Sequence, residues 1–395
     1  MSAASSVPPA AIPPGSWLGL LGGGQLGRMF CMAAQSLGYR VAVVDPSDDS
    51  PAGSVADRHL RADYLDPEAL AALRESCAAA TTEFENVPAA ALEFLARDLR
   101  IAPGAASVAI AQDRISEKTF LAGGGFAVPP FAVLRTRTDA MTADEALLPG
   151  IVKRARFGYD GKGQFRVRTR DDVTGAFDAL LHEPSVLEQV VDLQAELSVV
   201  VARDDTGNVA TWPVSENRHR DGILDVSIVP ARIDAALAHE ARALATAITT
   251  ALDYRGVLCV ELFVAPGNAL LVNEIAPRPH NSGHYTIDAC ATSQFEQQAR
   301  ILAALPMGDT RQHTPAVMVN LLGDIWFDDA SGLREPDWPR ALAHGLAKLH
   351  LYGKREPRRG RKMGHVTCLG DTLESALESA RAIKRDLGIP GVDEV

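Results

Sequence analysis

VLCVELFVAPGNALLVNEI, residues 257–275, consists of two apolar runs joined by a turn sequence that contains proline, glycine and asparagine. This composition predicts two antiparallel strands and a hairpin. If the loop 265–268 is symmetric, Glu261 faces Val272, and Glu274 lies two residues beyond that partner. The alternation of side chains along a strand then places both carboxylates on one face of the ribbon, within reach of each other.

Two carboxylates on an apolar ribbon repel each other and are costly to bury, so they indicate a compensating cation. Proteins commonly hold Mg²⁺ with one or two carboxylates together with the phosphates of a substrate. Glu261 and Glu274 are therefore the predicted metal ligands, and removal of one is expected to relieve repulsion in the metal-free fold. Asn273 ranks lower, because a regular strand turns its side chain to the other face. The competing interpretation places one or both acids on a solvated face, but their neighbours are apolar.

Upstream of the ribbon lies a series of features suited to a nucleotide. Lys153 stands in the apolar run IVKRA, and the glycine-rich stretch GYDGKGQ, residues 158–164, follows as a flexible hairpin loop. In the extended run 186–191, Glu188 and backbone groups are suited to hydrogen-bond an adenine edge, and Glu196 is placed for ribose hydroxyls. Each feature alone is weak, and it is their order along the chain that indicates a nucleotide site.

The sequence GGGQLG, residues 22–27, fits the GxGxxG pattern between a predicted strand and a predicted helix. Asp45 closes the next strand, as a ribose-binding acid would, so this motif alone indicates a dehydrogenase that uses NAD. Its physical content is more general, because glycine backbone and a helix N-terminus can approach any anion. No convincing constellation for hydride transfer accompanies it. A tight turn without a ligand is the other alternative.

The chain has 395 residues, a net charge of -11 and 47% hydrophobic residues. This length predicts two or three domains. The acidic balance argues against nucleic acid as a partner, and no apolar run is long enough to span a bilayer. Five scattered cysteines without a CxxC pair predict reduced, mostly buried thiols. The N-terminal stretch lacks the features of a signal peptide, so a cytoplasmic location is expected.

The order of strand and helix patterns predicts an α/β protein with several units. Residues 1–15, rich in proline, alanine and serine, are expected to be a disordered tail. Residues 16–104 are predicted to form a doubly wound, Rossmann-like domain, and residues 105–315 a second domain with a lid subdomain at about 125–187. Residues 316–395 are predicted to form a small C-terminal α+β unit.

Seven separated segments, in order, make the chain resemble the ATP-grasp superfamily, and within it the 5-(carboxyamino)imidazole ribonucleotide synthases. The segments are GGGQLGRM, EFENV, QDRISEK, IVKRARFGYDGKGQ, SENRHRDGI, NEIAPRPHNSGH and LYGKREPRRGRKMGH, which span Gly22 to His365. The resemblance implies an ATP-grasp fold behind an N-terminal pre-ATP-grasp domain. It also implies that a homodimer uses ATP, bicarbonate and Mg²⁺ or Mn²⁺ to carboxylate 5-aminoimidazole ribonucleotide through carboxyphosphate in purine biosynthesis.

Carried over residue by residue, the resemblance implies distinct groups of ligands in addition to the metal-binding acids. Those for ATP are Arg114, Lys118, Lys153, Lys162, Glu188, Gln189, Val190, Val191, Glu196, His219, Asn273 and Glu274. Those for the ribonucleotide are Gln25, Leu26, Glu85, Tyr159, Asp160, Gly161, Lys162, Lys354, Arg361 and Lys362. Those near bicarbonate or its phosphorylated form are His219, Arg278, His280 and Asn281.

Two stretches receive further roles from this resemblance. GYDGKGQ is expected to close over the site and exclude water, with Asp160 as the candidate that accepts the amine proton, although a turn aspartate is an equal alternative. The basic segment 348–362 is expected to clamp the 5′-phosphate of the ribonucleotide, the alternative being a solvated loop. Here Arg359 stands before Gly360, where the family often has proline, and the glycine turn before Arg361 stays in place.

Other functions remain as alternatives at this point. The formate-dependent glycinamide ribonucleotide transformylases share the glycine turn, the lysine loop and the paired acids. Biotin carboxylase shares the carboxyphosphate step, but the chain contains no biotin-acceptor segment. A regulatory nucleotide-binding module would need neither both acids nor the bicarbonate loop, and this chain has both.

Overall fold

The computed structural model describes residues 10–158, 163–328 and 332–395. The first part forms a parallel sheet flanked by helices, in the strand order β3-β2-β1-β4-β5. Its elements are β1 (Trp17–Leu21), α1 (Gln25–Ser36), β2 (Arg40–Val44), β3 (Arg58–Leu60), α2 (Pro67–Ser76), β4 (Ala79–Thr82), α3 (Ala89–Leu95), β5 (Arg100–Ile101) and α4 (Ala105–Ala111). The central strands are almost entirely buried, as expected when helices cover both faces. The predicted doubly wound domain is confirmed.

A helix and a small antiparallel sheet follow. Their elements are α5 (Arg114–Gly123), β6 (Phe131–Leu134), α6 (Arg137–Met141), β7 (Gly150–Arg154), β8 (Gln164–Val167), α7 (Arg170–Ala179) and β9 (Ser185–Gln189). The strand order is β6-β9-β7-β8. A buried apolar cluster between this sheet and its two helices α6 and α7 includes Val152, Val173 and Phe177.

The rest of the chain builds one large antiparallel sheet. Its elements are β10 (Ala195–Arg203), β11 (Val209–Thr211), β12 (Ser215–Arg220), β13 (Ile223–Val229), α8 (Ala235–Ala251), β14 (Gly256–Ala265), β15 (Ala269–Ala276), α9 (Thr286–Ala289), α10 (Gln294–Leu302), β16 (Ala316–Leu322), α11 (Trp338–Leu342), β17 (Ala347–Leu351), β18 (Lys362–Leu369) and α12 (Leu373–Leu387). The main order is β15-β14-β10-β12-β13-β16-β18-β17. The C-terminal strands therefore extend the preceding sheet through the pairing of β13 with β16.

The hairpin of β14 and β15 has a different register from the predicted one. Ala265 pairs with Ala269, and Leu262 pairs with Val272, so the predicted pairing of Glu261 with Val272 is wrong. A β-bulge next to Leu262 lets Glu261 pair directly with Glu274. Directly opposite residues share a face, so both acids do lie on one face of the ribbon.

Helix α5 begins at a side-chain cap. Asp113 accepts hydrogen bonds from the backbone amides of Ile115 and Ser116, which fixes where the helix starts. Residues three and four apart on a helix share one face, so this start directs Arg114, Glu117 and Lys118 to the same side. That side packs against β15.

All five cysteines are buried and free, as predicted. In the described parts of the chain, no helix is long and apolar enough to cross a membrane.

Candidate active site

A cavity of about 300 Å³ lies where α5, β7, β10, β12 and the β14–β15 hairpin meet. It brings together residues predicted to bind ATP, residues predicted to bind the ribonucleotide and residues predicted to lie near bicarbonate. The predicted site residues that line it are Glu85, Arg114, Lys153, Glu196, His219, Glu261, Asn273, Glu274, Arg278, His280, Asn281 and Lys362. One cavity therefore places the nucleotide-binding and bicarbonate-binding candidates around the paired acids.

Each of the two opposed acids contacts a cationic side chain. Glu261 Oε1 is 2.9 Å from His280 Nε2, and Glu274 Oε2 is 3.2 Å from Arg114 Nη1. Burial opposes ionisation of Glu261, but the adjacent His280 outweighs it and holds the pKa of this carboxyl well below its usual value. Each of the two carboxylates is thus balanced by its own cationic partner within the same cavity.

The bulge changes the place of Asn273. A bulge re-aims a side chain, and Asn273 lines the same cavity as Glu261 and Glu274, contrary to the expectation from a regular strand. Its Oδ1 atom is buried and has no hydrogen-bond partner. Two carboxylates and an amide oxygen form the hard, oxygen-only donor set that Mg²⁺ prefers, so the residues fit this ion. No cluster of three or more His, Cys, Asp or Glu side chains suited to a metal occurs among the described residues.

Two lysines meet at Glu188. Lys153 Nζ is 2.8 Å and Lys118 Nζ is 3.5 Å from Glu188 Oε2. Burial opposes ionisation of Glu188, but the two lysine charges outweigh it and lower the pKa of the carboxyl. Lys153 lines the cavity, whereas Lys118 is fully buried behind it and donates to the carbonyl oxygen of Asn273. The structure therefore places Lys153 at the cavity and Lys118 away from it.

The segment after β9 offers fewer backbone groups to a base than the sequence indicates. The amides of Gln189 and Val190 donate to the carbonyl oxygens of Pro130 and Pro149, at 2.9 Å in each case. The Gln189 side chain donates to a backbone carbonyl as well. Neither Gln189, Val190 nor Val191 lines the 300 Å³ cavity. A base bound here would have to use other backbone groups.

The loop after β15 supplies cationic and amide groups to the cavity. Arg278 Nε donates to Glu85 Oε2, and this ion pair holds the pKa of Glu85 below its usual value although burial opposes ionisation. Burial opposes protonation of His280, but its neighbours Cys259 and Glu261 outweigh it and raise the pKa of His280 to about 10. Asn281 is 8% exposed, and neither its Nδ2 nor its Oδ1 has a hydrogen-bond partner. An unsatisfied buried amide that lines a cavity indicates a polar ligand.

His219 lies on β12, opposite this loop. Its Nδ1 is 2.5 Å from Glu196 Oε2. Burial opposes protonation, but the hydrogen bond to Glu196 outweighs it and raises the pKa of His219. Both residues line the cavity, so their predicted proximity to the nucleotide fits their position.

The glycine turn before α1 is occupied by the protein's own carboxylates. Glu83 accepts from the amides of Gly24 and Gly27, at 2.7 and 3.0 Å, and Asp45 accepts from Gly23 at 2.8 Å. A Cβ on Gly22, whose φ is +107°, would lie 2.8 Å from Glu83 Cγ. The turn therefore wraps around a buried acid, which accounts for its glycines without a dinucleotide pyrophosphate. Gln25 and Leu26 follow this turn in the first turn of α1, and neither lines the 300 Å³ cavity.

The basic C-terminal segment returns toward the first domain. Lys354 Nζ donates to the carbonyl oxygen of Lys362 at 2.6 Å, and Arg361 Nη2 is 3.1 Å from Asp49 Oδ2. Lys362 lines the cavity. Burial and the nearby charge of Arg361 lower the pKa of Lys354 to about 8. The segment thus connects the end of the large sheet to the cavity and to the first domain.

Tyr159, Asp160, Gly161 and Lys162 lie outside the described residues. Their predicted contacts and the proton-accepting role of Asp160 therefore stay predictions, as does closure of GYDGKGQ.

Two buried acids were missed by the sequence analysis. Glu83 holds the glycine turn, and Glu117 accepts from the amide of Ile275 at 2.6 Å. Burial raises the pKa of each above its ordinary value. Glu83 lies in EFENV and Glu117 in QDRISEK, two of the segments that carry the resemblance. The motifs marked these stretches of sequence, but nothing in them indicated what these two acids bind.

Three known families match successive parts of the chain. Residues 16–112 match the ribonucleotide synthetase preATP-grasp domain, residues 119–295 the ATP-grasp domain, and residues 316–379 the phosphoribosylaminoimidazole carboxylase C-terminal domain. These matches agree with the parallel sheet, the two antiparallel sheets and the C-terminal extension of the large sheet described above.

Whole-chain relatives give the same result. The N5-carboxyaminoimidazole ribonucleotide synthase of Brucella melitensis biotype 1 is 46% identical over 360 residues, which cover 90% of this chain and 97% of the relative. The structure of the Staphylococcus aureus N5-carboxyaminoimidazole synthetase complexed with ADP is 37% identical, with a TM-score of 0.86 over 94% of this chain and 98% of that one.

A third similar protein is the Aspergillus clavatus N5-carboxyaminoimidazole synthase, solved in complex with ADP and 5-aminoimidazole ribonucleotide. It is 32% identical, with a TM-score of 0.84 over 96% of this chain and 99% of that one. Identity above 30% over nine-tenths of the chain, on the same fold, leads to one assignment. The chain belongs to the N5-carboxyaminoimidazole ribonucleotide synthase family of ATP-dependent ligases.

Proposed function

We propose that this chain uses ATP and bicarbonate to carboxylate the exocyclic amine of 5-aminoimidazole ribonucleotide, and releases ADP and phosphate. The observation that carries the proposal is the cavity in which the paired acids Glu261 and Glu274 face the loop of Arg278, His280 and Asn281. Relatives at up to 46% identity bear the name of this activity, and none of the similar proteins described above is a formate-using transformylase.

The nucleotide half of the cavity suits phosphoryl transfer. Lys153 and Arg114 would neutralise phosphate oxygens, while Glu196 and His219 would contact the nucleoside. Glu261, Glu274 and the Asn273 oxygen would hold Mg²⁺, which supplies charge neutralisation at the transferred phosphoryl group when it is bound. A bicarbonate oxygen then attacks the γ-phosphorus of ATP, the bond to the β-phosphate oxygen breaks, and carboxyphosphate forms.

The loop after β15 would hold bicarbonate and then carboxyphosphate. Arg278 presents a planar set of donors suited to carbonate oxygens, and the amide of Asn281 has both a donor and an acceptor available. Glu261 beside it raises the pKa of His280, so this imidazole adds positive charge to this wall of the cavity when it is protonated. The amine attacks the carboxyl carbon, either in carboxyphosphate or in the carbon dioxide it releases. Phosphate leaves, and Asp160 is the proposed acceptor of the amine proton.

The ribonucleotide would lie toward the first domain and the C-terminal segment. Glu85 and Lys362 line the cavity on that side, and Gln25, Leu26, Lys354 and Arg361 are the remaining described residues proposed to contact it. We also propose a homodimer in the cytoplasm, as the resemblance implies. Light scattering during size-exclusion chromatography would report the mass of the assembly.

A direct product assay tests the proposed function. Purified protein with ATP, Mg²⁺, bicarbonate and 5-aminoimidazole ribonucleotide should form ADP and the carboxyamino product. Replacing bicarbonate with formate, and the acceptor with glycinamide ribonucleotide, should give no product. Formate-dependent ATP hydrolysis would instead support the transformylase alternative.

The basic segment gives a prediction about the acceptor substrate. Lys354→Ala and Arg361→Ala should each raise KM for 5-aminoimidazole ribonucleotide and leave KM for ATP nearly unchanged, because each removes one charged hydrogen bond to the 5′-phosphate. Such a bond contributes about 1.5 to 3 kcal/mol, or roughly ten-fold to over a hundred-fold in kcat/KM. Steady-state kinetics with each substrate varied would measure this. An increase in KM for ATP alone would show that the segment serves the nucleotide.

The lowered pKa of Lys354 predicts a pH dependence. Its folded pKa is about 8, below the ordinary lysine value of 10.5, so the charged form is lost as the pH rises through 8. The phosphate group binds the charged form, and kcat/KM for the ribonucleotide should therefore fall above pH 8, approaching about ten-fold per pH unit. Lys354→Arg, which stays charged, should abolish this fall. An unchanged profile in Lys354→Arg would assign the inflection to another group.

A further inference from the structure

The backbone around Glu274 is held by side chains of α5. Among the described strands, β15 lies at the edge of the large sheet, so none of them pairs with the peptide groups on its outer side. Lys118 Nζ donates to the carbonyl oxygen of Asn273 at 2.8 Å, and Glu117 Oε1 accepts from the amide of Ile275 at 2.6 Å. The two bonds therefore fix the peptide groups immediately before and after Glu274.

These bonds occur where the strand is irregular. The β-bulge removes Asn273 from the regular pairing and brings Glu274 directly opposite Glu261. A bulge disrupts the local ladder, so the strand alone does not determine the direction of the Glu274 side chain. The α5 side chains supply hydrogen bonds at the position where the ladder does not.

Burying the ionisable side chains of Glu117 and Lys118 costs more free energy than a purely structural contact requires. Glu117 is 3% exposed and Lys118 is fully buried. Burying charged groups carries a large desolvation cost, and an apolar contact of similar volume would often be as stable. Arg114, on the same face of α5, contacts the Glu274 carboxylate itself at 3.2 Å. One helix face thus contacts the side chain of Glu274 and both flanking peptide groups.

We propose that Glu117 and Lys118 are positioning residues that set the Glu274 carboxylate opposite Glu261 for binding of a divalent cation. This inference rests on the metal role given to the two acids in the proposed function. Neither residue would touch the ion. Groups that orient metal ligands typically contribute about 10-fold to 100-fold to metal affinity.

Binding of Mn²⁺, followed by electron paramagnetic resonance in the presence of saturating ADP, tests the proposal without turnover. Glu117→Leu and Lys118→Met should each weaken Mn²⁺ binding by roughly 10-fold to 100-fold. Glu117 lines a smaller pocket that shares Arg114 and Glu274 with the 300 Å³ cavity, and Lys118 contacts Glu188. ADP affinity without metal is therefore measured in each variant, and only a loss of Mn²⁺ affinity larger than the loss of ADP affinity supports the positioning role. Glu117→Gln keeps an oxygen that can accept from Ile275, and it should retain Mn²⁺ affinity within about three-fold of the unmodified chain.

Lys384→Met is the matched control. Lys384, on α12, is as fully buried as Lys118, and its Nζ lies 2.6 Å from Asp225 Oδ2 on β13. This variant should lower Tm and leave Mn²⁺ binding unchanged. If Glu117→Leu and Lys118→Met behave in the same way, their role is structural and the proposal is overturned. Failure of both to fold, while Lys384→Met folds, would overturn it as well.

The Glu261→Gln variant separates this inference from the proposed function. If the unmodified chain binds Mn²⁺ with ADP, and Glu261→Gln loses that binding while Glu117→Leu keeps it, only the positioning role fails. If the unmodified chain binds no Mn²⁺ with ADP, the metal role of the acids fails, and the positioning role fails with it.

Discussion

Glu261→Gln and Glu274→Gln should each lower kcat/KM for carboxylation on the order of a thousand-fold while the chain stays folded. A bound metal contributes several kcal/mol of charge stabilisation in the transition state, and each 1.36 kcal/mol corresponds to ten-fold in rate. Glutamine keeps the volume of the side chain and one oxygen but removes the charge. Initial rates across a range of Mg²⁺ concentrations would measure the effect.

The structure changes the expected effect of these substitutions on stability. From the sequence, losing one acid relieves repulsion, but Glu261 contacts His280 and Glu274 contacts Arg114. Each substitution leaves a partly buried cation without its partner, so we expect a lower Tm in both variants. Asp225→Asn, which removes the partner of Lys384 and does not line the cavity, is the control for loss of a buried acid. Activity near that of the unmodified chain at limiting Mg²⁺ would contradict the metal assignment.

Arg278→Ala should have the second large effect, on activity and on stability together. Arg278 forms an ion pair with Glu85, and the two side chains are 16% and 24% exposed. Removing one partner of a buried pair costs about 3 to 5 kcal/mol, because the other charge stays buried. Loss of a donor to the carboxyl group in transfer should lower kcat by about 100-fold to 1000-fold. Urea unfolding and single-turnover kinetics would measure the two effects separately.

A double-mutant cycle distinguishes the two contributions. Glu85→Gln together with Arg278→Ala removes both charges, so the free energy of unfolding should recover in part relative to Arg278→Ala alone. Activity should not recover, because the donor is still missing. Recovery of both would mean that Arg278 acts only by balancing the charge of Glu85.

Much of the fold was predictable because local patterns agree with the final structure. The apolar run at Trp17–Leu21 and the two runs of the ribbon form strands where alternation and composition predict them. The paired acids share a face because residues directly opposite each other do so in any antiparallel pair. The family could be identified because seven motifs occur in order.

Other features depend on contacts between distant parts of the chain. The bulge at Glu261 cannot be inferred from a symmetric turn, since one extra residue changes the register and re-aims Asn273. The glycine turn fits a dinucleotide site in sequence, but Glu83, 59 residues from Gly24, fills it. Likewise, the position of Lys118 behind the cavity follows from the packing of α5 against β15.

The pairing of β13 with β16 has a consequence for dissecting the chain. Because four residue pairs join these strands, a fragment that stops before Ala316 would expose β13 as an unprotected sheet edge with buried apolar residues such as Val226 and Ile228. Exposed edges of this kind recruit strands from other molecules. We therefore expect the large sheet to aggregate when it is produced without its last strands, so the C-terminal region acts as an intramolecular protector of this sheet.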